Sequence, residues 1–372
     1  MPDTLPSTKA QHRIVVNAVG TAKPAMCAAV AKGLGLTTSV VVSRLYRAPA
    51  VLIEGIDESL AEQMTTLLCN IGYDAEVQNV NEPPPAKSTL YDVAVYIDDP
   101  MAFLPTVKCI SKFVGMPEEN ASEMVLTPPG IVLGSVSEAT ILSFKDQLCE
   151  GCSIISSITE EAEYEIFLGH TAEIVRRRIL SDIKDSDIPL VGETGLVASG
   201  VDHNTAQALW RRHQASGAMR VVNRDFLRFD LVCMGIEEGV QSGTPEQIAL
   251  LKSLVGIPED MIEEVLNSLP ITLLEAVPNN AVEENVLALT EVGLTMRADL
   301  ISFQVLGLQV ESTSDAAATS NILKGYGLLQ EDTSLPIPPF TVEGRLPELR
   351  AKIIKSSLEE AGAVVTFVEE NE

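Results

Sequence analysis

Apolar positions along this chain switch between a two-residue and a helical period in a fixed order. A short strand-like run is followed by a helical stretch, then by a second strand entered through proline or glycine. A longer helix closing near glycine and a third strand complete the set. The order recurs five times, about every 70 residues, which marks a repeat architecture. The second strand is the clearest anchor. It reads APAVLIEGI at 48–56, PPGIVLGSV at 128–136, TGLVASGV at 194–201, LPITLLEAV at 269–277 and PPFTVEGRL at 338–346. Helical patterns follow at 57–72, 137–152, 202–217, 278–293 and 346–362, opening on Asp, Ser or Pro in four cases and closing on or near glycine.

The connections constrain the topology of each unit. Strand two, a helix of about 15 residues and strand three form a crossover, so those two strands are predicted to run parallel. With strand one between them and antiparallel to both, each unit becomes a small α+β domain of order β-α-α-β-α-β, with helices and sheet in two layers. The predicted units span 13–80, 91–160, 163–225, 228–302 and 303–370. In the third and fifth, the segments DSDIPLVGE from Asp185 and EDTSLPIPP from Glu331 stand where the second helix would be, so that helix is predicted to be reduced. A proline-rich linker, 81–90, follows the first unit and reads as a semi-rigid spacer. The first unit is therefore expected to move relative to a tighter block of the other four.

Composition narrows the class. With 46% hydrophobic residues, a net charge of -26 and a pI near 4.5, the chain has apolar content for cores, and phosphate attraction is disfavoured as a general activity. No apolar run approaches the roughly 20 residues of a spanning helix, and the start MPDTLPSTKAQH lacks the pattern of a signal peptide. A cytoplasmic location without membrane insertion is expected. The six cysteines, Cys27, Cys69, Cys109, Cys149, Cys152 and Cys233, mostly fall in apolar patterns and read as reduced core residues.

Catalytic and cofactor chemistry finds little foothold. Cys149 and Cys152 form a CxxC at a helix C-terminus, where the dipole disfavours a thiolate, and no second ligand pair for zinc accompanies them. His12, His170, His203 and His213 are scattered without a recognisable nucleophile or carboxylate set. GETGLVASG from Gly192 lacks the lysine of a phosphate loop. No enzyme activity, cofactor or metal is predicted.

Residues 14–77, with GLGL at 33–36, RAPAVLIEGI at 47–56 and NIGYDAEV at 70–77, resemble the C-terminal domain of the bacterial ribosomal stalk protein. That family recruits translational GTPases through basic and apolar residues on its first helices. Here the matching stretch, KPAMCAAVAK, keeps Lys23 and Lys32 at its ends and small residues between. YDVAVYIDDPMAFLPTVKCISKFVGMPEENASEMVL at 91–126 resembles the protease adaptor ClpS, which shares the fold, and KSLVGIPED at 252–260 echoes SKFVGMPEE at 111–119. The ClpS resemblance implies capture of a free amine by Asp98 and Asp99 beside Met101. Ile97 replaces that family's asparagine, and Pro128 and Pro129 fall where its histidine would be. An acid pair opening a helix also serves simply to compensate the dipole.

The third unit holds the chain's one Trp. Aligned on helix-terminal glycines, Trp210 falls at the place of Thr65 in the first unit and Lys355 in the fifth, both solvent-type positions; Arg211 and Arg212 follow it, while Arg176, Arg177 and Arg178 lie on the preceding helix. Trp beside Arg is the composition of interface hot spots. The alternative is that Trp210 packs between repeats and the arginines pair with neighbouring acids. The chain is thus expected to be a non-catalytic adaptor or scaffold that binds proteins, with self-association possible. A structural subunit of a larger assembly, and a translation or proteolysis factor recruiting a GTPase or Clp ATPase, are the alternatives.

Overall fold

Side-chain caps set several helix starts as the sequence pattern requires. Thr37, Asp57, Asp202 and Asp315 each turn a side-chain oxygen onto the first free amides of a helix, and Thr244 with Gln247 forms a reciprocal capping box. In a computed structural model, residues 11–23 and 25–368 are described. The first ten residues, read above for a leader, Pro24 and the last residues of the fifth predicted unit lie outside them.

The protein is a mixed α+β structure that divides after Glu161 into two compact units. In the first, the order is β1 (His12–Ala18), α1 (Ala25–Leu34), α2 (Thr38–Tyr46), β2 (Ala50–Ile56), α3 (Glu58–Asn70) and β3 (Asp74–Asn79). There follow β4 (Leu90–Ile97), α4 (Phe103–Val114), α5 (Glu118–Leu126), β5 (Ile131–Ser137), α6 (Glu138–Lys145) and β6 (Cys152–Ile158). Two antiparallel sheets result, ordered β2-β1-β3 and β5-β4-β6. In each, the first strand is central and antiparallel to both neighbours, so the outer strands run parallel to one another.

The second unit contains β7 (Glu163–Leu168), α7 (Glu173–Asp185), β8 (Gly195–Asp202), α8 (His203–His213), β9 (Met219–Asn223) and β10 (Arg228–Ile236). It continues with α9 (Pro245–Leu250), α10 (Ile262–Asn267), β11 (Ile271–Pro278), α11 (Asn279–Glu291), β12 (Leu294–Leu300) and β13 (Val305–Thr313). The last elements are α12 (Ala316–Gly325), the short strands β14 (Phe340–Thr341) and β15 (Leu346–Pro347), α13 (Glu348–Glu360) and β16 (Ala363–Val368). Its sheets are ordered β8-β7-β9 and β11-β10-β12, with a third in which β13 pairs β14, β15 and β16. No helix forms at 187–194 or 328–339, where prolines interrupt the pattern.

Each sheet buries one face under its own helices. Around β1 the core contains Ile14, Val41, Leu45 and Leu52, all fully buried, and burial of each such side chain stabilises by roughly 1.5–3 kcal/mol. Ile166, Ile179, Ile183 and Leu209 do the same around β7, and Leu308, Val310, Ile354 and Leu358 around β13.

The mobile first segment expected from the proline-rich linker is not what folds. The Tyr46 hydroxyl donates to the Phe113 carbonyl at 2.7 Å, and their rings meet edge to face with centroids 5.9 Å apart. Phe113 packs in turn on Phe144, with centroids 4.8 Å apart and the rings tilted by 44°. The Thr140 hydroxyl donates to the Tyr46 carbonyl at 2.9 Å, and Arg47 reaches the Ser135 carbonyl at 3.3 Å. Sheet β1–β3 is thereby docked on the elements after the linker, because an aromatic cluster outweighs the reach of a few prolines.

In the second unit, Phe303 packs edge to face on Phe167 with centroids 5.0 Å apart, and the Arg220 guanidinium lies over its ring. Phe226 and Leu227 bury the joint between β9 and β10. Lys352 on α13 lies against Glu348 and Glu275.

Candidate functional site

Trp210 lies on α8, one position after buried Leu209 and three before buried His213, and is 45% exposed. The helix turns Ala206, Leu209 and His213 toward the β7 core and leaves Trp210, Arg211 and Arg212 outside it. Asp182 on α7 pins the two helices together. Its Oδ2 lies 2.8 Å from His213 Nε2 and 3.3 Å from the Arg212 guanidinium. Burial by itself would raise the Asp182 carboxyl, but hydrogen bonds from Arg212 and His213 hold it below the ordinary range. Sequence reasoning found no carboxylate partner for the histidines, and this one is corrected: 31 residues separate Asp182 from His213, and only the α7–α8 packing joins them. His203 is also engaged, with Nδ1 3.1 Å from the Tyr164 hydroxyl.

The arginines of α7 divide into tied and untied. Arg176 and Arg177 both reach Glu173, at 2.7 and 2.6 Å, and Arg176 also approaches Glu193. Hydrogen bonds from Arg177 and Arg176 hold the Glu173 carboxyl below its ordinary range. These acids belong to the same helix and the loop that follows it, not to neighbouring repeats. Arg178 and Arg211 are exposed, and no ion pair is described for either. Arg178 precedes Asp182 by one helical turn and so lies on the stripe of α7 that meets α8.

Asp98 and Asp99 follow β4 and are exposed. Their amides both donate to the Gly151 carbonyl, at 3.0 and 2.9 Å, and Asp99 Oδ1 accepts the Met101 amide at 2.9 Å. Ser153 donates to Asp98 at 3.3 Å. The acids thus cap the turn into α4 and hold the 147–153 loop. Gly151, at φ +86°, is required there: a Cβ would lie 2.9 Å from that of Ala102. Met101 is 54% exposed beside them. Pro128 and Pro129 line a shallow groove of about 600 Å³ with Met116, Met124 and Ile131. Lys23, before α1, and Lys32, in its last turn, are exposed and far in sequence from the other candidates.

Among the described residues no group of three or more His, Cys, Asp or Glu is arranged to hold a metal ion. Burial pushes the thiols of Cys152 and Cys109 up, away from nucleophilic thiolate, and Cys152 Sγ donates to the Cys149 carbonyl at 3.2 Å. All six cysteines are free. Cys27 and Cys233 are buried as the pattern predicted, but Cys69 is exposed and the other three are intermediate, a correction to the reading of them as mostly core residues. Among the described residues no single helix is long and apolar enough to cross a membrane.

One set of polar residues escaped the sequence reading. Asp92 and Asp230 occupy the same place in β4 and β10, and each accepts a backbone amide from the bulged strand beside it, Ser135 at 2.9 Å and Ala276 at 2.8 Å. Ser135 and Ala276 both have φ 51°, and the matching positions in β2 and β8 hold Gly55 and Gly200, also at positive φ. The signal was present as a recurring small residue late in strand two, coupled to an acid early in strand one.

No protein-family model, curated protein or solved structure matches this chain significantly.

Proposed function

We propose that the protein is a non-catalytic adaptor or scaffold that binds other proteins through tandem β-α-α-β-α-β units related to the stalk C-terminal domain and ClpS. Five sheets with the same central first strand, and a positive-φ residue at one place in four second strands, support the repeat. The observation that carries the functional reading is Trp210: a large aromatic left 45% exposed, with exposed Arg211 next to it, on a helix whose other face is locked into a core. A rigid aromatic with an adjacent guanidinium group binds protein surfaces at low entropic cost. Several weak faces on one chain add through effective concentration. Six free cysteines fit a reducing cytoplasmic compartment.

Affinity capture from the native cell, comparing the wild-type chain with Trp210→Ala, tests this reading. Loss of a defined set of partners, with an unchanged melting curve, is the expected result. Identical partner sets from both would count against α8 as a contact face. Capture of a GTPase or a Clp ATPase that depends on Lys23 and Lys32, or on Asp98 and Asp99, would favour the recruiting factor instead.

A further inference from the structure

We propose that Cys149 and Cys152 form a reversible disulfide, a redox-modifiable site where the turn after α6 enters β6. The proposal is independent of the contact face on α8. Spacing alone does not make this pair, but the turn between the two residues does. Glu150 and Gly151 are its central residues, and Gly151 takes φ +86°, the conformation that a type II turn requires at its third position. The ends of such a turn have Cα atoms less than about 7 Å apart, and a disulfide spans roughly 4.4–6.8 Å. The Asp98 and Asp99 amides clamp the turn through the Gly151 carbonyl, at 3.0 and 2.9 Å. The two sulfurs also share a neighbour. The buried Thr106 hydroxyl lies 3.2 Å from Cys149 Sγ and hydrogen-bonds the Cys152 thiol as well, which in turn meets the Cys149 side chain. Both cysteines line a groove of about 610 Å³ between α6 and β6, beside Leu142, Lys145 and Glu150, so a small reagent reaches them.

The surroundings disfavour a thiolate at Cys152. Burial pushes its thiol up, and Cys149 and Asp98 add to this against the Thr106 hydrogen bond. The pair therefore oxidises slowly. Strongly oxidising pairs owe their potential to a stabilised reduced form, which this pair lacks, so its disulfide persists once closed. The oxidant is a small-molecule disulfide. Cys152 Sγ is engaged with the Cys149 carbonyl at 3.2 Å, which leaves Cys149 to react first. As a thiolate, its proton given to solvent, Cys149 attacks one sulfur of the reagent; the reagent's S–S bond breaks, and one thiolate leaves and takes up a proton. Cys152 then gives its proton to solvent and attacks Cys149 Sγ, expelling the second reagent thiolate, which is protonated in turn. Two protein thiols are oxidised and one disulfide is reduced to two thiols. Cys109 is the competing partner, but its Sγ is turned onto the Gln147 carbonyl at 2.8 Å.

Overnight exposure of the full chain to oxidised glutathione at neutral pH, followed by alkylation and tryptic mass spectrometry, tests the assignment. Cleavage after Lys145 and Arg176 leaves both cysteines on one peptide, 146–176, and Cys109 on another, 109–112. Peptide 146–176 is expected to lose about 2 Da and both alkylation sites, and to regain both sites with dithiothreitol. Exposed Cys69 takes up glutathione instead. Cys152→Ser traps the intermediate, raising glutathione on Cys149 roughly tenfold or more over wild type. A melting curve matching wild type shows that the variant is folded, and the wild-type measurement does not depend on it. Peptide 146–176 still alkylated at both cysteines once Cys69 is saturated overturns the proposal, as does its linkage to peptide 109–112.

Discussion

Asp230 Oδ1 accepts the Ala276 amide at 2.8 Å, holding a non-glycine residue at φ 51° in the strand next to its own. Left-handed backbone costs an L-residue roughly 1–2 kcal/mol, and the carboxylate offsets part of that. Ala276→Gly relieves the cost while making the unfolded chain more flexible, so a net gain of up to about 1 kcal/mol is expected. Gly200→Ala, at the matching position with φ 67°, is expected to cost about 1 kcal/mol or more. Urea midpoints of the two variants, moving in opposite directions, check the pair.

Burial raises the Asp230 carboxyl above its ordinary value, against the opposing pull of the Ala276 amide and of Lys352; Glu275 and Asp299 push the same way as burial. The folded protein then holds this proton more tightly than the unfolded chain. Stability from this group therefore increases as pH falls from neutral through the raised pKa, and levels off below the ordinary aspartate value near 4. Asp230→Asn keeps an acceptor for Ala276 and removes the titration. The difference between wild-type and variant melting temperatures should shrink on acidification, as read by calorimetry at several pH values.

Asp182 has the opposite sign. Its carboxyl is held below the ordinary range, so its contribution is complete above about pH 5 and is lost as pH falls through the lowered value. Asp182→Asn is expected to lower the melting temperature at neutral pH and to converge with wild type in acid. Equal destabilisation at every pH would show that Asp182 acts through packing alone.

The Tyr46–Phe113 contact couples the two sheets of the first unit. Tyr46→Phe leaves the Phe113 carbonyl without its donor at a cost of about 1–3 kcal/mol, and Phe113→Ala also opens a cavity, costing about 3–5 kcal/mol. Hydrogen exchange should report faster opening of β1 and of α4 together in both variants. Faster exchange confined to one sheet would show that the two open independently.

Cysteine labelling follows access and thiolate supply. With a maleimide at neutral pH, Cys69 is expected to react first, Cys109 and Cys152 more slowly, and buried Cys27 and Cys233 only on unfolding. Mass spectrometry over a time course gives the order directly.

Strand order and helix starts were legible because their causes are local. A proline before the second strand, Asp57, Asp202 or Asp315 at a helix start and alternation in segments such as YDVAVYI each act over a few residues. Exposure of Trp210 was legible from the alignment of its helix with the first and fifth units on their terminal glycines, where Thr65 and Lys355 stand. The bulge acids were harder, because Asp92 and Ser135 are 43 residues apart and neither is unusual where it stands.

What the amino-acid order determined by itself is the repeated sheet, its caps and the solvent-facing side of each helix, all products of short-range sterics and periodicity. Tertiary structure alone decided that Tyr46 docks across the proline spacer, that Asp182 takes Arg212 and His213, and that Arg176 and Arg177 share Glu173. Those outcomes depend on the angle and separation at which whole helices meet, and a difference of a few ångströms there makes or removes a hydrogen bond or an ion pair.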